Sequence, residues 1–324
     1  MAMTDAVLLA INCTNADQFS SSLSPIGIQN KTVGNILTAL LTTVSAYILM
    51  SLILFEIRQN RITSINVNKL QLLSSASALL SCLSEQFELR LGTKDDVWCT
   101  LYKTFIAVFY CLGSLSAYTL LWAQQRSFYA DPLLKNFSSK LLRCTSATVI
   151  VGVYVSLIPV ALIFTLSYDL RSTPDGCIMF LEKENSTVAA GALLFMAASY
   201  VIFQLLLLVL VTYPLMRSAG TNQLCFYSVQ QYELSAEIRT LITRLCLCTA
   251  ACVASVTIGS AIAAYNFLQA PDSYWSLLLH ADLIVNAVAV VCTTANWRER
   301  LFPCVASRKP LVLPDEMQTS FEGL

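Results

Sequence analysis

The chain has 324 residues, 12% of them charged and 56% apolar, with a mean hydropathy of +0.63. A soluble domain carries about 25% charged residues, so a soluble enzyme of this size is excluded. Twenty basic and twenty acidic side chains cancel, which leaves no overall field to gather nucleic acid and puts any electrostatic message in how the charges are distributed.

Crossing about 30 Å of hydrocarbon takes about 20 mostly apolar residues in a helix. Seven such runs occur, at 33–55, 70–89, 97–123, 144–167, 187–213, 241–267 and 273–296. They are continuous rather than alternating, and only helices and closed barrels satisfy the backbone within lipid, so the spans are helices. The expected fold is an all-α seven-helix bundle over 33–296, preceded by a tail over 1–32 and followed by a tail over 297–324. The longest connector, 214–240, is too short for an inserted domain, and no internal repeat of the transporter kind is visible.

Orientation follows from lysine and arginine. Thirteen of the twenty lie on the side of the 56–69, 124–143, 214–240 and C-terminal segments, and five on the other, which puts the N-terminus outside and the C-terminus in the cytoplasm. In the outer tail, residues 1–12 lack a basic start, so the first helix is expected to insert with its tail translocated. The sequons at Asn12, Asn30 and Asn185 fall outside by this rule and are candidate glycosylation sites, while Asn136 falls inside.

Near the outer end of the second span, Glu85 and Glu88 sit three residues apart, and Lys103 follows Cys99 by one turn in the third. An unpaired charge there would be expensive, so an interhelical pair is expected, either as structure or as the polar anchor of a ligand pocket walled by Tyr102, Ile106, Phe109, Tyr265, Tyr274 and Trp275. Of twelve cysteines, most fall inside helices or on the reducing side, where the thiol acts as a small apolar group. Cys13, Cys99 and Cys177 see the oxidising side. A Cys99–Cys177 bridge would staple the loop between spans four and five across the bundle mouth, with Cys13 as the competing partner or a free thiol.

In the seventh span, Asp282 lies ~14 Å along the helix, near mid-bilayer. An ionisable group at that depth is a functional candidate, and its structural alternative is a hydrogen bond to serines or threonines of helices one or two. His280, two residues earlier, points elsewhere and belongs with the outer pocket; as the single histidine of the chain it cannot form a multi-histidine zinc site or be joined by another in catalysis. No catalytic residue, metal or other cofactor is expected.

Seven helices, an outer N-terminus, a cysteine at the head of helix three and another in the second outer loop together resemble a rhodopsin-like (class A) G-protein-coupled receptor over about residues 30 to 305. Trp122-Ala123-Gln124-Gln125-Arg126-Ser127-Phe128-Tyr129, followed by Pro132, resembles the family's Asp-Arg-Tyr segment and inner loop. Asn296-Trp297-Arg298-Glu299-Arg300-Leu301-Phe302-Pro303-Cys304 resembles its short surface helix with a lipidated cysteine. The resemblance implies a receptor at the plasma membrane that takes an extracellular ligand and signals to a heterotrimeric G protein. It implies an inner clasp between Arg126 and Glu237, switching through Asp282 and Asn286, lipidation of Cys304, and a basic side of the last helix, Arg298 and Arg300, turned toward anionic lipid.

The chain departs from the family at several points. Helix two lacks its aspartate, helix six lacks the Trp and Pro of the Cys-Trp-X-Pro switch, and helix seven reads Asp282-Leu283-Ile284-Val285-Asn286 in place of Asn-Pro-X-X-Tyr. Ile106 stands where amine receptors carry aspartate, and no lysine between Lys183 and Lys309 could hold retinal. These departures feed the second reading, a seven-helix transporter, channel or scaffold subunit.

Overall fold

The computed structural model describes residues 25–59, 65–92, 94–130, 140–173, 176–181, 198–199, 201–210, 212–213, 240, 243–259, 274–294 and 296–303. The chain divides into two compact units, Met1–Leu37 and Thr38–Leu324. Of the first, the helical start of α1 is described; the second contains the packed helices.

The described chain is mostly helical. In order it comprises α1 (Pro25–Gln59), α2 (Ile65–Leu91), α3 (Asp96–Ala130), α4 (Lys140–Ser167), a hairpin of β1 (Tyr168–Thr173) and β2 (Gly176–Leu181), α5 (Val201–Leu210), α6 (Thr243–Gly259), α7 (Tyr274–Cys292) and the short α8 (Trp297–Leu301). Two stretches, Thr32–Arg58 and Asp96–Arg126, are long and apolar enough to cross a membrane. Helices α1 to α4 run past the apolar runs that announce them, because a helix continues through the polar residues that flank such a run. Conversely, α7 stops at Cys292 rather than 296: the Thr293 and Thr294 hydroxyls donate to the carbonyls of Val290 and Val291 (2.6 and 2.7 Å) as the chain turns toward α8.

The distribution of side chains is inverted relative to a soluble fold. On α3, Val97, Leu101, Phe105, Val108 and Leu112 recur every three or four residues and are exposed. On α1, Leu40, Val44, Tyr47, Met50, Leu54 and Ile57 do the same. Helix α2 exposes Leu73, Leu80 and Phe87, seven apart, and buries Gln71, Ser74, Ser75, Ser77, Ser81, Ser84, Glu85 and Glu88. Water would oppose that arrangement, whereas an apolar surround favours it.

Two apolar cores hold the helices together. One gathers Tyr118 and Leu121 of α3, Val153 and Leu157 of α4, Leu207 of α5, Leu245 and Val256 of α6, and Val290 of α7. The other joins Ile48 and Leu52 of α1, Ala78 and Cys82 of α2, Leu283 and Ile284 of α7, and Leu301 of α8. Between α2, α3 and α7 a glycine sets the spacing. A Cβ on Gly113 would lie 2.8 Å from Leu283 Cδ2 and 3.2 Å from Ser77 Cβ, and the Gly113 carbonyl accepts from Ser74 Oγ at 3.4 Å. Small residues let helix backbones approach in this way.

The hairpin is absent from a reading built on apolar runs. Its strands pair antiparallel, with Ser172 opposite Cys177 and Thr173 opposite Gly176. The signal for it is Thr173-Pro174-Asp175-Gly176, a turn composition between two runs of strand-forming residues.

Replacing Gly113 by Val is expected to cost about 1–3 kcal/mol through overpacking, read as a lower unfolding midpoint of the purified protein in detergent. Adding Leu283→Ala should recover part of the loss. An unchanged midpoint for Gly113→Val would contradict the close approach of α2, α3 and α7.

Candidate functional site

The C-terminal end of α2 and the N-terminal ends of α3 and α7 meet in a cluster of buried polar groups. Serine and glutamate at Ser81, Glu85 and Glu88 follow one another at four and three residues on α2, and Ser276 and His280 are four apart on α7, so each set lies on one helix face. Lys103 reaches in from α3. Its Nζ lies 2.8 Å from Glu88 Oε1 and 3.9 Å from Glu85 Oε2. Ser276 Oγ donates to Glu85 Oε1 at 2.6 Å, His280 Nε2 stands 3.6 Å from Glu85 Oε2, and Ser81 Oγ and His280 Nδ1 share a hydrogen bond of 3.1 Å. Glu85 is 7% exposed, Glu88 5% and His280 0%. The expected pairing of Lys103 with the two glutamates is therefore present, and His280 joins the same group.

The hairpin lies against this end of the helices. Cys99, at the head of α3, is disulfide-bonded to Cys177 of β2 with a Cα separation of 5.6 Å, so of the alternatives for these cysteines the Cys99–Cys177 pair is the one formed. Asp96 Oδ1 accepts from the Ser172 amide, and Cys177 Sγ lies 3.8 Å from the Gly92 carbonyl. The Gly92 amide in turn donates to the Glu88 carbonyl at 2.8 Å. One helical turn therefore separates the hairpin from the charged cluster. A side chain on Gly92 would meet both, its Cβ falling 2.7 Å from the Glu88 carbonyl and 2.8 Å from Cys177 Sγ. Cys82, Cys111 and Cys252 are free thiols.

The expected pocket walls separate. Ile106 is buried. The Tyr102 ring stacks on Phe87 (6.0 Å) and Trp98 (5.9 Å), both exposed, which places it in an aromatic group at the surface. Phe109 packs at 6.0 Å against Phe105, itself exposed. Tyr265 lies outside the described residues, as do the side chains of Tyr274 and Trp275.

Asp282 forms a second buried centre, deeper in the bundle. Its Oδ2 accepts from Tyr110 Oη of α3 at 3.0 Å and from Asn286 Nδ2 at 3.2 Å, and Ser255 of α6 is also close. The carboxylate is therefore bound to α3 and α6, not to helices one or two as the serine-rich α2 suggests: Ser74 turns to the Gly113 carbonyl instead. Asp282 and Asn286 lie one turn apart on α7 and are joined by the hydrogen bond from Nδ2 to Oδ2.

At the opposite end of the helices, Arg300 departs from its expected lipid-facing place. It enters the bundle, donating to Asn68 Oδ1 at 3.0 Å and to Gln71 Oε1, with its guanidinium 4.7 Å over the Phe55 ring. Burial pulls its pKa below the ordinary guanidinium value, opposed by the Glu56 carboxylate. The cause is visible in α2, where Asn68 and Gln71 are three apart and present two amide oxygens to one fork of donors. Gln71 also donates to the Val290 carbonyl at 3.3 Å, and Tyr47 to the Leu301 carbonyl at 2.8 Å. Arg298 is exposed and lies 5.4 Å over Trp297. Arg126 is exposed at the end of α3 with its guanidinium 5.5 Å over Trp122; its expected partner Glu237 lies outside the described residues, as do Asn12, Asn185 and Cys304. Asn30 falls within α1.

Among the described residues no group of three or more His, Cys, Asp or Glu is placed to hold a metal ion. Compared with protein-family models the chain matches none, and no curated protein aligns with it significantly.

The site can hold charge in an apolar surround and tie three helices together. Ser276→Val, which removes the one hydroxyl donating to Glu85 Oε1, is expected to cost about 1–3 kcal/mol because it leaves a buried acceptor unmet. Tyr102→Phe, in the surface stack, should change stability by less than about 0.5 kcal/mol. Thermal unfolding of the two variants in the same detergent checks the contrast, and equal effects would contradict the placement of the cluster.

Proposed function

We propose that the chain is a multi-pass seven-helix protein of the plasma membrane with its N-terminus outside, acting as a receptor. It takes an extracellular ligand at the outer ends of α2, α3 and α7 and signals to a heterotrimeric G protein. The observation that carries this reading is the covalent tie from the head of α3 to β2, laid one helical turn from a buried cluster that joins three helices. A tethered hairpin beside a polar cluster reduces the disorder a ligand must suppress. A cluster shared by three helices gives a ligand the means to favour one helix arrangement over another, which is what ligand-linked signalling requires.

The deeper contacts fit the same reading. Tyr110 to Asp282 links α3 to α7, and Arg300 to Gln71 links α8 to α2, so a shift of α7 at the outer cluster has hydrogen-bonded partners to move along its length. The exposed apolar stripes of α1 and α3 supply the lipid-facing surface of the bundle.

The test is recruitment of G protein or arrestin in cells whose surface display of the protein has been verified, against a panel of peptides, lipids and small metabolites. The expected outcome is a ligand-dependent response that Cys177→Ser weakens by at least about tenfold in potency, the equivalent of ~1.4 kcal/mol of lost preorganisation. Silence against every G-protein class and arrestin would overturn the receptor reading and favour a transporter, channel or scaffold subunit.

A further inference from the structure

We infer that the ligand of the outer cluster presents a compact cationic donor, a protonated primary amine or a guanidinium. The inference rests on the receptor reading for the side from which the ligand arrives; what it adds is the chemistry of the group that binds.

The argument begins with a charge count. Glu85 and Glu88 of α2 face the single ammonium of Lys103 from α3, and His280 of α7 adds a positive charge only when protonated. Among the described residues, two carboxylates therefore face one fixed cation. Lys103 stands at hydrogen-bonding distance from Glu88, 2.8 Å, and beyond it from Glu85, 3.9 Å. The carboxylate less closely paired with Lys103 is thus Glu85.

Unmet hydrogen-bonding capacity lies in the same place. Glu85 Oε1 has the Ser276 hydroxyl, but Glu85 Oε2 and Glu88 Oε2 accept no hydrogen bond from a described residue, and both side chains are more than nine-tenths buried. His280 is fully buried, and its Nε2 points at Glu85 Oε2 across 3.6 Å without a hydrogen bond. Buried oxygens of this kind ordinarily have partners, and a carboxylate left without one is costly.

An ammonium fits these three atoms. It has three donors and one positive charge, enough for the two glutamate oxygens and for the imidazole Nε2 in the tautomer that keeps its proton on Nδ1 toward Ser81. A guanidinium offers two parallel donors to a carboxylate and fits the same oxygens. Lys103 already shows that the site accepts an ammonium against a buried glutamate, and at 11% side-chain exposure it marks the edge by which the cluster meets its surroundings. A carboxylate or phosphate ligand would meet two like charges, and a neutral ligand would leave Glu85 without a close cation.

The experiment uses the full-length protein in phosphatidylcholine nanodiscs, with thermal unfolding as the readout at fixed pH and ionic strength. The probes are n-butylammonium and butylguanidinium, against n-butanol and butyrate. The cationic probes are expected to raise the unfolding midpoint by about 2 °C or more at saturation, with little effect from the neutral and anionic ones. Glu85→Gln should remove at least half of that shift and Glu85→Asp should retain it; if Glu85→Gln does not fold, Glu88→Gln takes its place. A wild-type protein indifferent to the cations, an equal shift with butanol, or an undiminished shift in the glutamine variant would each overturn the inference. Because the assay contains no G protein, a cation-specific shift with silent recruitment counts against the receptor reading alone, and recruitment driven by an anionic or neutral ligand counts against this inference alone.

Discussion

Lys103 bound to Glu88, in a place where neither can reach water freely, is the contact on which the arrangement of α2, α3 and α7 depends. Removing two charges from water costs several kcal/mol each, and their attraction offsets that cost only when the geometry is close and the remaining lone pairs are met. Lys103 comes from α3, Glu85 and Glu88 from α2, and Ser276 and His280 from α7, so meeting that requirement fixes three helices relative to one another. Gly113, two to three turns further along α3, allows the same three helices to approach closely enough for the contact to form. The disulfide from Cys99 to Cys177 then holds the hairpin over the same end.

The same rule recurs along the length of the helices. Asp282 is held by Tyr110 and Asn286, and Arg300 by Asn68 and Gln71. In each case the polar groups turn inward while leucine, valine and phenylalanine turn out. Helix α2 makes the point most clearly, with Leu73, Leu80 and Phe87 exposed and a column of serines and glutamates buried. An apolar surround offers no hydrogen bonds, so polar side chains turn toward one another.

Much of this was legible from the residues alone. Helix positions follow from apolar runs, since lipid demands length and hydrophobicity before anything else. The salt bridge follows from the price of an isolated charge, and the participation of Ser81 and Ser276 could have been read from their spacing of four from Glu85 and His280. The hairpin was hidden because a short pair of strands between two helices adds no long apolar run; its Pro-Asp-Gly turn was the available sign. Arg300 was misplaced because a basic residue on a short terminal helix faces water or headgroups unless two amide oxygens wait inside, and those belong to α2, more than two hundred residues earlier. Asp282 is held by a tyrosine of α3 rather than by the serines of α2, of which Ser74 donates to the Gly113 carbonyl and Ser81 pairs with His280.

The most direct test of the central claim is a double-mutant cycle between Lys103 and Glu88, using Lys103→Met, Glu88→Gln and the pair, with unfolding free energies measured in one detergent. A buried pair that orders three helices predicts a coupling energy of about 2 kcal/mol or more, the double variant being much less damaged than the sum of the two singles. Effects that add to within about 0.5 kcal/mol would mean that the two side chains do not depend on each other, and would contradict the account.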